Sequence, residues 1–500
     1  MLGQSPVGQH FAQQSFTSKD YQAFSLMLES QLVDLRALLE QPNWGQGPCS
    51  AGAELEFYLL DDKLQPKCCS EQLLAVANDA ELTEELNQFN LEFNLPPVLF
   101  TGSPFQRIEQ QVIDKTEQLR QLAASIDATM AIIGILPTLE EHHLGMCAMS
   151  DRPRYHALTK NICQVRGGPF QININGAEQL KMSRNDLTLE GANTSFQFHY
   201  RVAPDRFNDV YNAIQLVTPL ALAVAGNSAY LLQRQLWHET RIALFKQSTD
   251  PRAPGLHDWQ QPSRVTLGQG WLQGGAYQLF AESVHLHKPL LPLVTTESGQ
   301  LLDLDNAPQL AELRLHHGTI WSWNRAIYDP VDGGHLRIEL RSLPAGPTAK
   351  DMLANIALTI GLAEGLVESI QDLTMKLPFN YVVHNFYRAA KHGLAANFVW
   401  PDRAGEGLGE VPVDNLLEQM LPIARRGLLL RGINESEADH YLGVIEQRIA
   451  LKQTGAVWQI NLAQQLERDC ERQQALQLML RRYIELSASN TPVAEWSTSL

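Results

Sequence analysis

Ala53-Glu54-Leu55-Glu56-Phe57 decides how this chain is read. In an extended strand, alternate side chains point to opposite faces. Glu54 and Glu56 therefore share one side, while Ala53, Leu55 and Phe57 share the other. The same alternation recurs further along. In Leu91-Glu92-Phe93-Asn94-Leu95, Glu92 and Asn94 oppose apolar residues. In Ser195-Phe196-Gln197-Phe198-His199-Tyr200-Arg201-Val202 the polar set is Ser195, Gln197, His199 and Arg201. In His335-Leu336-Arg337-Ile338-Glu339-Leu340-Arg341 it is His335, Arg337, Glu339 and Arg341. Taken singly, each reads as an ordinary sheet face turned to water. Taken together they hold Glu, Gln, His and Arg but no Lys, unlike the Lys-, Thr- and Ser-rich faces that water usually meets.

If these strands are neighbours, Glu54, Glu56, Glu92 and Glu339 crowd negative charge onto one surface. Such carboxylates raise one another's pKa unless a cation intervenes. Glutamate oxygens with one amide and one imidazole are hard donors suited to Mg²⁺ or Mn²⁺. Arg341 and Arg337 on the same face offer planar forks for phosphate oxygens. A sheet with metal carboxylates at one end and arginines at the other suits phosphoryl transfer.

Outward from these strands, the chain reads as a mixture of helices and strands without strict alternation. That favours an α+β fold with an antiparallel or mixed sheet. Helices are expected over about Lys19 to Glu40, Phe105 to Ile126 and Phe207 to Ala225, and again over Leu231 to Phe245. The strand from Phe89 is expected to stop at Pro96-Pro97, and the apolar run Ala128 to Pro137 reads as a buried strand. Further strand signals lie at Phe170, Thr319 to Trp323 and Leu336 to Leu343. Lys246 to Gly275 is rich in Gly, Pro and polar residues and reads as a long loop of the lid type. After Ala349 the chain is helical, with a break at Arg403 to Glu410 and a long polar helical tail, Gln447 to Arg482. No Walker A or Rossmann motif is present, so any nucleotide is bound another way.

Composition narrows the class. The 500 residues carry 44% hydrophobic and 19% charged side chains, enough for a sizeable core. The net charge of -16 argues against a nucleic-acid partner. The polar start, Met1 to Ser18, does not resemble a signal peptide, and no run is read as reaching the roughly 20 apolar residues of a membrane helix. The six cysteines fit no zinc spacing and read as reduced thiols. A cytoplasmic protein is expected, and its oligomeric state is left open.

At these same residues the chain resembles the glutamate–cysteine ligase and carboxylate–amine ligase family of the glutamine synthetase-like superfamily. The resemblance rests on Glu54-Leu-Glu56, Leu91-Glu92-Phe-Asn-Leu-Pro96, Gln197-Phe-His199, Asn227-Ser228, Arg241, Ile338-Glu339-Leu-Arg341 and Asn385-Phe-Tyr-Arg388-Ala-Ala-Lys391-His-Gly393. It implies a curved, mainly antiparallel sheet backed by helices, with a catalytic domain over 1–400 and a helical extension over 401–500. It implies ATP and Mg²⁺ or Mn²⁺ as cofactors, and glutamate and an amine, cysteine foremost, as substrates. Glu56 and Glu92 would hold a metal near the acceptor carboxylate. Glu54, Gln197 and Glu339 would hold one that bridges the ATP phosphates. Arg341 would stabilise the transferring phosphoryl group, with Arg337 beside it and His199 near the substrate. Many relatives read His-x-His where this chain has Gln197 and His199.

Arg241 and Arg325 are candidates for a substrate carboxylate or phosphate, Asn227 and Ser228 for substrate contact or a helix cap, and Glu109 for a further carboxylate ligand. The His142-His143 and His316-His317 pairs read as loop residues. A γ-glutamyl ligase for another amine, a guanidino-kinase-like phosphotransferase and a catalytically dead binding protein are the rival readings.

Overall fold

The computed structural model describes residues 15–252, 261–294, 307–401 and 407–498. Its centre is a seven-stranded sheet. The strands are β1 (Ser50–Leu60), β2 (Leu82–Glu84), β3 (Asn90–Leu99), β4 (Thr129–Ala131), β5 (Phe196–Arg201), β6 (Asn324–Asp329) and β7 (His335–Leu340). Their order is β6-β7-β5-β1-β3-β2, with β4 beside the far end of β1, and every pairing is antiparallel. The four patterned strands are thus consecutive neighbours. Register brings their polar residues level: Glu54 lies opposite Gln197 on one side and Asn94 on the other, Glu56 opposite Glu92, and His199 opposite Glu339.

The sheet is curled and backed by helices. Leu55, Phe57, Phe93, Phe198, Tyr200 and Ile338 are buried on its apolar face. Tyr200 donates a 2.7 Å hydrogen bond to Glu364 of the helix Ala349–Leu366, which ties that helix to the sheet. The same helix packs so closely on Val413–Leu430 that a Cβ at Gly427 would lie 1.9 Å from the Gly361 carbonyl oxygen. Only glycine fits that crossing.

Several expectations are corrected. β3 does not stop at Pro96-Pro97 but runs on to Leu99. The two prolines sit at a register shift opposite Gly52, beyond the end of β2, where a missing N–H breaks no ladder on that edge. Of Ala128 to Pro137 only Thr129–Ala131 is a strand, although every residue of the run but Thr129 is buried. Leu231 to Phe245 is not one helix: a tight hairpin joins Tyr230–Leu231 to Arg234–Gln235, with Leu232 and Gln233 at positive φ, and the helix begins at Arg241. Strand β6 was not foreseen; Thr319 to Trp323 contains only the short Trp321–Ser322. His316 and His317 end a buried helix rather than a loop, their Nε2 atoms 2.8 Å and 2.9 Å from the carbonyls of Ser283 and Ala326.

The loop expected over Lys246 to Gly275 contains the end of the Arg241–Ser248 helix and the short strand Val265–Thr266; 253–260 lie outside the described residues. Within Arg403 to Glu410, residues 403–406 likewise lie outside them, and Leu408–Pro412 pairs with Asn397–Pro401. The tail is three helices, Glu435–Leu451, Gly455–Leu466 and Arg472–Ala488, with Trp458 and Tyr483 buried. Among the described residues one helical stretch, Ala349–Lys376, is long and apolar enough to cross a membrane, contrary to the sequence reading, but 83% of its apolar window is buried inside the protein. It is a core helix.

Candidate active site

Strand alternation and register, with one residue from a connection, gather two acidic groups on the sheet's polar face. In the first, ligand atoms of Glu54, His199 and Glu339 lie within 4.8 Å of one another. In the second, the same holds for Glu56, Glu85 and Glu92. Glu85 was missed by sequence reasoning. It lies in the connection between β2 and β3, where no periodicity marks it, and only the return of β3 alongside β1 brings it to Glu56.

Gln197 and Arg341 link the groups. The Gln197 amide nitrogen donates to Glu56 at 2.9 Å, and its oxygen accepts from Arg341. Arg341 also donates to Glu339 at 3.1 Å, and the Ser195 backbone N–H donates to Glu56 at 2.7 Å. Both polar ends of Gln197 are thus engaged by protein groups. Arg325, from β6, forks onto Glu339 with bonds of 2.6 Å and 3.1 Å, so it meets a carboxylate of the site.

The remaining candidates lie around this centre. Arg241 is buried and donates to Glu239 and to the backbone carbonyls of Ser342 and Arg341, bracing Arg341 from behind. Arg337 pairs with Asp329 at 3.2 Å, one register step away beside Arg201. Asn227 and Ser228 are fully buried. Asn227 joins Ala345, Tyr483 and Gln459, and Ser228 donates to Glu239. Neither caps the preceding helix Pro204–Ala225, but the Ser228 hydroxyl accepts from the Arg241 N–H at 3.4 Å, at the start of the Arg241–Ser248 helix. Glu109 is not brought to the concave face: Tyr441 and Asn490, both from C-terminal segments, hold its carboxylate.

Electrostatics divide the carboxylates. Burial disfavours charge on Glu339, but Arg325 and Arg341 outweigh it and hold the carboxyl well below the usual range. Burial acts likewise on Glu54, where the nearby His199 outweighs it and the carboxyl is lowered. In the second group burial prevails. Glu56 is raised despite Arg241 and Arg341. Glu92 is raised well above its ordinary value by burial and by Glu54, Glu85 and Glu56. Glu85 is pushed up to about 8 by burial, Glu56 and Glu190.

The donors fit a divalent cation. His199 Nε2 stands 2.9 Å from Glu54 and 3.8 Å from Glu339, yet neither ring nitrogen completes an aligned hydrogen bond although both are buried. Raised carboxyls packed together, and a buried imidazole without an aligned partner, are what a cation would satisfy. Glu85 has its raised carboxyl in the folded state, so its contribution to stability is present below its ordinary value of 4.5 and is lost as pH rises through about 8. The metal-free protein is therefore expected to melt lower at pH 8 than at pH 6, and millimolar Mg²⁺ to restore more at pH 8. Thermal melts with and without chelator check this. An unchanged melting temperature on adding Mg²⁺ at either pH would remove the cation reading.

A curled antiparallel sheet gathers carboxylates and arginines on one face, and the match to a family model makes the class an ATP-dependent carboxylate–amine ligase. The model of glutamate-cysteine ligase family 2 matches residues 50–475, and the chain belongs to that family. Among curated protein sequences none matches significantly. Among solved structures, the glutamate–cysteine ligase of Francisella tularensis in complex with AMP is similar at a TM-score of 0.54 and 11% identity, covering 89% of this chain and 90% of that one. A bifunctional glutathione synthetase from Pasteurella multocida gives a TM-score of 0.43 at 10% identity, covering 93% of this chain and 55% of that one. The first of these likenesses shows the fold.

Proposed function

We propose that this protein joins the γ-carboxylate of glutamate to the amine of cysteine, giving γ-glutamylcysteine, a precursor of glutathione. ATP supplies the phosphoryl group, with Mg²⁺ or Mn²⁺ as companion ion. The observation that carries the reading is the Gln197–Arg341 link between two acidic groups. It bonds one permanent positive charge directly to Glu339 of the first group and, through Gln197, links it to Glu56 of the second.

Glu54, His199 and Glu339 would hold one cation, and Glu56, Glu85 and Glu92 another. Bound there, such ions neutralise the oxygens between which charge moves. The chain does the positioning. The glutamate carboxylate attacks the γ-phosphorus, ADP departs, and an acyl phosphate results. The neutral amine nitrogen then forms its bond to the carbonyl carbon, the C–O bond to phosphate breaks, and the surplus proton on nitrogen passes to the departing phosphate. Arg341 presents its guanidinium toward the phosphoryl oxygens, and Glu339, Glu56, Glu54 and Glu92 keep it protonated against burial. Arg325 fixes Glu339 so that the carboxylate does not swing. The fold likeness to a ligase solved with AMP supports nucleotide use.

Incubation with ATP, Mg²⁺, glutamate and cysteine should release ADP and free phosphate together with γ-glutamylcysteine, identified by mass, and excess chelator should stop it. A stable phosphorylated product without free phosphate would make the protein a kinase. Among amines, cysteine should be best and 2-aminobutyrate close behind, because an apolar sub-pocket separates near-isosteres by only about 1–3 kcal/mol. Equal rates with cysteine and cysteamine would discard the cysteine assignment.

A further inference from the structure

Every backbone carbonyl from Arg341 to Ala345 except that of Pro344 is bonded from behind. The Arg341 and Ser342 carbonyls accept from Arg241 at 3.4 Å and 3.2 Å, and the Leu343 carbonyl accepts from the Phe196 N–H at 3.2 Å. The Ala345 carbonyl accepts from the Asn227 side chain at 2.8 Å, and the Ala345 N–H donates to the Thr194 carbonyl at 3.2 Å. Asn227 also secures the Arg241 end. Its backbone N–H donates at 2.9 Å to Glu239, the carboxylate that accepts from Arg241 at 3.1 Å. One buried residue is thus tied to both ends of the segment that begins with Arg341.

What holds Asn227 comes from far along the chain. Gln459, on the helix Gly455–Leu466, donates to the Asn227 side-chain oxygen at 2.8 Å and to its backbone carbonyl at 3.2 Å. Tyr483, on the helix Arg472–Ala488, accepts from the Asn227 amide at 2.7 Å and donates at 3.0 Å to the Ile132 carbonyl, just past β4. The Asn227 amide nitrogen therefore spends its donors on Ala345 and Tyr483, and its oxygen accepts from Gln459, which fixes one orientation. Asn227, Gln459 and Tyr483 are fully buried. Space is as restricted as bonding: a Cβ on Gly346 would lie 2.6 Å from the Tyr483 hydroxyl and 3.0 Å from the Asn227 amide nitrogen. The two acidic groups contain no residue of either helix. A buried polar network whose members are satisfied specifies one arrangement of the groups it joins.

We infer that Asn227 is a positioning residue through which the C-terminal helices set the pose of Arg341. This rests on the ligase reading, in which Arg341 meets the transferring phosphoryl group. Gln197 and Glu339 hold the far end of the Arg341 side chain, and the bonded carbonyls hold its root. Both are required, because a displacement of about 1 Å at a reacting centre costs up to roughly a hundredfold in rate.

The test is steady-state kinetics of Asn227→Asp and Tyr483→Phe, each alone and combined with Arg341→Lys, with rates taken per folded molecule from circular dichroism on the same sample. Asn227→Asp keeps the size but turns a carboxylate oxygen toward the Ala345 carbonyl. It should lower kcat by about 10- to 100-fold. Tyr483→Phe removes a single oxygen, serves if Asn227→Asp does not fold, and should lower kcat by about 3- to 10-fold. The KM values for ATP, glutamate and cysteine should stay within about threefold in both. With Arg341→Lys already present, either substitution should cost no more than about twofold further, because residues that act as one unit are not additive. Losses that multiply in full in that background overturn the assignment, and so does a normal kcat in Tyr483→Phe. A rise in the KM of one substrate as large as the loss in kcat would make Asn227 a substrate contact and overturn it too. A wild-type protein that releases no ADP with ATP, Mg²⁺, glutamate and either cysteine or 2-aminobutyrate removes the ligase reading and this assignment with it.

Discussion

Glu339→Ala is expected to lower turnover by roughly a thousandfold or more, the scale of losing a principal electrostatic element of a phosphoryl-transfer site. Glu339 faces His199 and Glu54, and it accepts from both Arg325 and Arg341. The substitution therefore has a second consequence. It leaves two part-buried guanidinium groups without their shared buried counter-charge, and breaking a fully buried pair from one side costs about 3–5 kcal/mol, an upper bound here. From crowding alone, removing a carboxylate from this face is expected to leave the metal-free protein intact or steadier. The structure reverses that for Glu339, whose carboxyl is lowered rather than raised. Activity per folded molecule, from circular dichroism and rate on the same sample, separates the two effects. Glu339→Gln keeps the shape and should recover part of the stability without the turnover. Near-normal turnover in both variants would put the proposed centre in the wrong place.

Arg341→Lys is expected to cost about a hundredfold or more in kcat, because a point charge does not reproduce a planar fork on a phosphoryl group. Arg341 also reaches Gln197 and Glu339 through the same Nη1. Lysine keeps the positive charge between the acidic groups, so the stability loss should be small beside the kinetic one. The reverse pattern, a lowered melting temperature with normal turnover per folded molecule, would mark Arg341 as structural.

Much of this site was legible because strand alternation is a local property. Glu54 and Glu56, Glu92 and Asn94, Gln197 and His199, and Glu339 and Arg341 each share a face by virtue of spacing alone, and an apolar opposite face commits each strand to a sheet with one side buried. Local sequence therefore determined the strands, their polar faces and the hard-donor character of the centre. It did not determine what lies in connections. Glu85 sits in a segment without period, and what makes it a member of the site is the pairing of β3 with β1. The same limit explains Glu109, Asn227 and Ser228, whose partners are up to 381 residues away in the chain. A carboxylate looks alike in sequence whether a cation, an arginine or a tyrosine meets it. Tertiary packing alone decided that Arg325 holds Glu339, that Gln197 bridges the acidic groups, and that Pro96-Pro97 lies within a strand, because each depends on which neighbour the sheet supplies on the far side.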